Sequence, residues 1–289
     1  MRDLLVTAIV FGILPFVFRR PWVGLMLWTW LAYMNPHRQT WGFAFDFPFS
    51  MVVGVVTLLA FLFSPQKKEM IWSRETFVWA LFMAWMFFTT FFAFYPDLAW
   101  PQWDKVWKIQ LMLLLVVLMV RERRHLEIML WVIAVSIGYY GFKGGIFTIA
   151  TGGQFHVQGP TGTFFGGNNE MALVLIMTIP LMRYLHLQAT RRWVKSGLLT
   201  VMLLSGVAAI GTQSRGALVA IAAMGVFLWL KSRNKLATGT LIAVVVAIVV
   251  SVMPQSWYER MDTIQNYEQD TSALGRINAW HTAVNVALA

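Results

Sequence analysis

Gly211–Ala220 reads GTQSRGALVA, a short polar stretch set between two uncharged apolar runs, Val201–Ile210 and Ala217–Leu230. A joint of this length leaves no room for a loose loop. Its one cation, Arg215, therefore sits at or just inside a membrane boundary. A cation there is costly to hold and ordinarily faces an interior cavity or a partner anion. The stretch thus argues for two lipid-embedded helices joined tightly, and it marks the first residue to examine for chemistry.

The rest of the chain supports a membrane setting. Of 289 residues, 58% are hydrophobic and 12% charged, with a mean hydropathy of +0.62, whereas soluble domains carry about 25% charged residues. Fifteen Trp and twenty-two Phe suit the two bilayer interfaces, where aromatic rings collect. Apolar runs fall at 4–18, 22–34, 47–63, 76–95, 106–120, 126–150, 171–187, 196–212, 215–230 and 237–253. Backbone amides cannot go unpaired in lipid, so these runs predict helices. The second and fifth are short for a full crossing. The expected fold is all-α: a polytopic inner-membrane protein of about ten transmembrane helices, followed by the start of a periplasmic loop.

Charge placement predicts the orientation. Arg19/Arg20, Lys67/Lys68/Arg74, Arg121/Arg123/Arg124, Arg191/Arg192/Lys195 and Lys231/Arg233/Lys235 mark every second connection. Cations gathered on one side are the positive-inside signature. The sparse segments, 35–46, 96–105, 151–170, 211–215 and 254–289, are then expected to face outward, toward the periplasm in a bacterium. The net charge of +10 comes from these small clusters and not from one basic face, which excludes nucleic acid as the partner and leaves the lipid bilayer.

Several chemistries are excluded as well. No cysteine is present, so disulfides and thiolate metal sites are absent. His37, His125, His156, His186 and His281 show no metal-ligand spacing. The outward acids, Asp46, Asp97, Asp104, Glu170, Glu259, Asp262, Glu268 and Asp270, form no D-x-D pair that would hold a divalent cation on substrate phosphates. No metal and no cofactor are expected. An anionic phosphate would have to be held by arginine, whose planar fork matches phosphate oxygens.

Arg215 and Arg276 are the outward candidates, each against a simpler reading: a snorkelling boundary cation for Arg215, a lipid-headgroup contact for Arg276. Asn168, Asn169 and Glu170 open the seventh run after the glycine-rich segment 151–170, TGGQFHVQGPTGTFFGGNNE. They could contact a glycan or an anion at a helix N-terminus, or Asn could simply cap that helix. Lys143 reads equally as anchor or ligand, and His156 as a solvated loop histidine. Arg183 reads as a snorkelled flank. Gly141–Gly145 and Gly162–Gly166 carry the GxxxG spacing of close helix packing, which is unspecific. Near the end, SALGRINAWHTAVNVALA puts Leu274, Ile277, Trp280/His281, Val284 and Leu288 on one stripe. This predicts an amphipathic surface helix with Thr271 or Ser272 at its start. The chain stops at Ala289 in mid-pattern, as a truncated protein would.

Three segments in order, GPTGTFFGGNNEMALVLIMTIPL, GTQSRGALVA and SALGRINAW, resemble the bacterial O-antigen ligase and O-antigen polymerase superfamily. The N-terminal part, with LPFVFRRPWVGLMLWTWLAYMNPHRQTWGFAFDFPF, looks most like O-glycosylation ligases of exosortase-associated systems. The resemblance implies two regions: 1–190, the N-terminal membrane region of that subgroup, and 196–289, the start of an O-antigen ligase-related domain. It implies a metal-independent membrane glycosyltransferase moving a glycan from undecaprenyl diphosphate to a periplasmic acceptor, a lipid A core sugar or a protein hydroxyl. Arg215 and Arg276 would hold the diphosphate. The family's essential loop histidine is expected beyond Ala289, and His281 does not match its motif. A polymerase extending the glycan on its carrier is the near alternative; a secondary transporter or an assembly scaffold is the alternative of another class.

Overall fold

A computed structural model describes residues 1–65, 72–252, 255, 258 and 271–288. All regular structure among them is helical. Eleven α-helices have their bounds among the described residues, in order: α1 Arg2–Arg19, α2 Pro21–Met34, α3 Phe49–Phe63, α4 Arg74–Phe91, α5 Pro96–Met119, α6 Arg123–Ala150, α7 Asn168–Gln188, α8 Arg192–Gly211, α9 Arg215–Lys231, α10 Lys235–Val252 and α11 Thr271–Leu288. A helix stands at each of the ten apolar runs. Three of them, α6, α7 and α8, are long and apolar enough to cross a membrane by length and composition, and the protein is a membrane protein. Ten crossings are not established: α2 has 14 residues and α3 has 15, about 21–23 Å at 1.5 Å per residue against a hydrocarbon core of about 30 Å.

The chain divides into two compact units, 1–136 and 137–289, with the boundary inside α6. In the first, α2 is buried on more than one side. Leu27 and Leu31 meet Val6 and Val10 of α1 and Phe49 and Val53 of α3. Leu25 and Met26 meet Phe61 of α3 and Met112, Leu115 and Met119 of α5. Gly24 is the closest approach: a Cβ there would lie on the Thr57 hydroxyl and 2.7 Å from Val17. A helix too short to span is thus surrounded by its neighbours.

The segment after α2 turns at Asn35, in the left-handed region at φ 45°, into a 3₁₀ turn, Pro36–Gln39. Asp3 secures the remainder by accepting from the Gly42 and Ala44 amides at 3.1 and 3.2 Å. Burial pushes the His37 imidazole below its ordinary value, and the Arg38 charge beside it pushes the same way. The unfolded chain therefore takes up a proton near pH 6.5 that the folded one resists. Stability from this region is full above that pH and falls as pH drops through it. Amides of 36–46 should exchange faster at pH 5 than at pH 7.5 after correction for intrinsic rates, and His37→Gln should remove the difference.

One segment departs from the sequence reading. Residues 96–105, expected as an outward connection, form the first turns of α5. Pro96 stands at the first helical position, where its missing N–H costs nothing, and Asp97 favours the positive helix end. Asp104 accepts from Lys108 at 2.6 Å one turn on. The α4–α5 hairpin closes through Trp79 Nε1 donating to Gln110 Oε1 at 2.7 Å and through the Phe87–Trp103 and Phe91–Trp100 ring contacts. Lys67 and Lys68, and the acids Glu259, Asp262, Glu268 and Asp270, lie outside the described residues.

The second unit rests on glycines. Along α6, a Cβ at Gly138 would lie 2.9 Å from Val201, one at Gly141 would strike the Ser205 hydroxyl, and one at Gly145 would lie 2.8 Å from Leu204 Cβ. The glycine stripe lets α6 and α8 approach to backbone contact, so the Gly141–Gly145 spacing is a packing device. Gly162–Gly166 lies in the loop, with Gly162 at φ 73°. On α7, Met171, Leu175, Thr178, Met182 and Leu185 form a buried stripe at three- and four-residue steps. The helix packs against α8 and α9.

Candidate functional site

The joint between α8 and α9 is three residues, Thr212, Gln213 and Ser214, all buried. Each polar side chain has a partner. Thr212 Oγ1 donates to Ala209 O at 2.7 Å. Gln213 Nε2 donates to Gly153 O at 2.8 Å. Ser214 Oγ donates to Asn169 Oδ1 at 2.6 Å and caps α9 by accepting from the Ala217 amide at 3.2 Å. Gln213 is held at φ 52°, a left-handed conformation that costs a non-glycine residue about 1–2 kcal/mol. The turn therefore persists because its surroundings hold it.

Those surroundings come from the glycine-rich segment and the start of α7. The Val157 amide donates to Gly211 O at 2.9 Å, and a Cβ on Gly211 would strike the Thr148 hydroxyl of α6. Asn168 Nδ2 donates to Thr212 O at 3.1 Å. Gly167 occupies the cap position of α7 and supplies no side-chain cap; the Glu170 carboxylate folds back over it, where a Cβ would collide. Asn168 and Asn169 are thus first and second residues of α7, and neither caps it. Their side chains reach across 44 and 45 residues to the joint.

Arg215 is the first residue of α9 and half-buried. The structure brings Asn168 and Asn169 to the residues that precede it. Arg276 is exposed on α11, and among the described residues no hydrogen bond or ion pair joins it to the joint. Glu170 stays exposed at the α7 start, Lys143 is exposed on α6, and His156 is exposed in the loop. Among the described residues no cluster of His, Asp and Glu suited to a metal ion occurs. Sequence reasoning passed over Thr212, Gln213 and Ser214; the one available signal was a serine immediately before an apolar run, the mark of an N-cap.

Replacing Gln213 by Ala removes the buried bond to Gly153 and keeps the strained dihedral, at a cost of about 1–2 kcal/mol. Gln213→Gly also loses the bond but relaxes the dihedral, so its melting temperature in detergent should fall less than that of Gln213→Ala.

Residues 1–190 match the model of a family of unknown function, DUF5935. The chain belongs to that family. In this DUF5935 protein, residues 200–289 also match the O-antigen ligase family, a match that supports a relation to the O-antigen ligase superfamily and a membrane glycosyltransferase-like function. No curated protein and no solved structure matches the chain. The candidate site draws on both matched stretches. Asn168 and Asn169 lie in the DUF5935 part, Thr212 to Arg215 in the O-antigen ligase part, and the two meet within one compact unit.

Proposed function

We propose that this protein transfers a glycan from undecaprenyl diphosphate to a periplasmic acceptor, and that Arg215 and Arg276 hold the diphosphate. The observation that carries the reading is the placement of Arg215: it follows a buried, fully bonded turn that joins the two family-matched stretches. Rigid placement is what a charge-stabilising group needs. Cleavage of the anomeric C–O bond leaves new negative charge on the diphosphate, and a fixed guanidinium stabilises that charge without reorganising. The acceptor oxygen forms the new bond on the opposite face, inverting the anomeric carbon, and its proton passes to a general base. No residue in 1–289 is assigned as that base. The reaction uses no metal.

The acceptor is a lipid A core sugar or a protein hydroxyl, the latter in keeping with O-glycosylation ligases of exosortase-associated systems. Residues 196–289 belong to the ligase-related domain, and the site faces the periplasm from the inner membrane. Deleting the full-length gene should cause undecaprenyl-linked glycan to accumulate and the glycosylated acceptor to disappear. Unchanged levels of both would refute the reading. Loss of long repeats from the carrier-linked glycan, with the acceptor unaffected, would identify a polymerase instead.

A further inference from the structure

The three polar residues that open α7 are differently committed. Asn168 spends its amide nitrogen on Thr212 O at 3.1 Å, which makes it a brace. Glu170 turns its carboxylate back over Gly167, where it would repel a phosphate. Asn169 differs from both: its carbonyl oxygen accepts from Ser214 Oγ at 2.6 Å, while its residue surface is exposed. Ser214 Oγ in turn accepts from the Ala217 amide. The hydroxyl proton is thereby directed at Asn169 Oδ1, which engages the oxygen of the carboxamide and leaves its NH₂ uncommitted. Among the described residues that NH₂ has no hydrogen-bond partner. The group that orients it is the residue immediately before Arg215.

We infer that Asn169 is a binding residue of the same site, its Nδ2 donating to an oxygen of the lipid diphosphate beside the Arg215 guanidinium. The inference rests on the diphosphate reading of Arg215. The two donors suit one ligand: the guanidinium supplies charge, and the neutral amide adds a directed hydrogen bond without adding a further desolvated cation. Asn168 takes no part in binding and holds α7 against the joint.

The chemistry of asparagine provides the test. Asn169→Asp keeps an oxygen that accepts from Ser214, so the turn and its cap survive, but it replaces the NH₂ donor with a second carboxylate oxygen. A purely structural role predicts rescue by Asp; a donor role predicts that Asp is worse than Ala. Binding of undecaprenyl diphosphate to the purified full chain in nanodiscs should be measured for wild type, Asn169→Ala, Asn169→Asp, Asn168→Ala and Arg215→Ala, with a melting temperature for each. We expect Arg215→Ala to weaken binding at least tenfold, Asn169→Ala several-fold, and Asn169→Asp more than Asn169→Ala while melting near wild type. Asn168→Ala should lower the melting temperature and leave affinity within about twofold. Wild-type affinity in Asn169→Asp, with Arg215→Ala still impaired, overturns the role of Asn169 alone. Wild-type affinity in Arg215→Ala overturns both the diphosphate reading and the inference built on it.

Discussion

Arg215→Ala in the full-length protein should lower glycan transfer by about 10²–10³, the loss seen when one preorganised charge-stabilising donor is removed from an active site. The residue is the first of α9, and the turn before it makes its hydrogen bonds through Thr212, Gln213 and Ser214. Melting temperature and membrane level, measured for the same variant, separate a loss of transfer from a loss of fold. Arg215→Lys should recover only part of the activity. An ammonium restores the charge but not the two parallel N–H donors that fit a phosphate edge. The measurement is complementation of a deletion strain, reading the glycosylated acceptor and the accumulated lipid-linked glycan at matched protein levels. Full transfer by Arg215→Ala would remove the reason for placing the site here.

The second large effect is structural. Gly145 of α6 lies against the backbone of α8: a Cβ there would strike the Leu204 carbonyl oxygen and lie 2.9 Å from its carbonyl carbon. A side chain there meets main chain, which cannot rotate away. Gly145→Ile should cost at least the 1–3 kcal/mol typical of an overpacked core, because the helices themselves must separate. Separation would also disturb the contact of Gly211 with Thr148 and the Val157–Gly211 bond, so diphosphate binding should fall together with the melting temperature. Gly197 and Gly206 serve as controls on α8: nothing lies within 4 Å of a Cβ at either. Gly197→Ala and Gly206→Ala should equal or exceed the wild-type melting temperature, since alanine favours a helix by about 0.5–1 kcal/mol. Equal melting of Gly145→Ile and Gly206→Ala would show that α6 and α8 do not approach as described.

What could be read from the chain depended on the range of the interaction. Apolar runs bounded by arginines, prolines and glycines are local signals, and a helix stands at each. The tight joint at Arg215 was legible for the same reason: the six residues between the runs 201–210 and 217–230 leave no room for a loose loop, and the structure narrows the joint to three. The start of α5 was misjudged because Pro96 and Pro101, with a tryptophan-rich neighbourhood, read as a loop, although proline is compatible with the first turn of a helix. The wiring of the site was not legible. The bonds Asn168–Thr212 and Asn169–Ser214 exist because α7 packs along α8 and α9, and no local pattern announces a partner 44 or 45 residues away. Gln213 gave no sign either. Glutamine has no preference for a positive φ; bonds to the Gly153 and Ile210 carbonyls and the surrounding packing hold it there.

A membrane setting followed from composition, but the number of crossings did not. Length and hydropathy support α6, α7 and α8 as spans, whereas α2 owes its burial to α1, α3 and α5. Apolar residues satisfy a helical neighbour as well as a lipid tail, so hydropathy alone does not separate the two.

The central claim is that the lipid diphosphate binds where α7 meets the α8–α9 joint. A photoactivatable undecaprenyl diphosphate carrying its reactive group close to the phosphates would locate it directly. After cross-linking in membranes and peptide mapping, label should appear in 168–183 and in 212–219, and excess unlabelled undecaprenyl diphosphate should compete it away. Competable label confined to other helices, with none at either of these two stretches, would contradict the account.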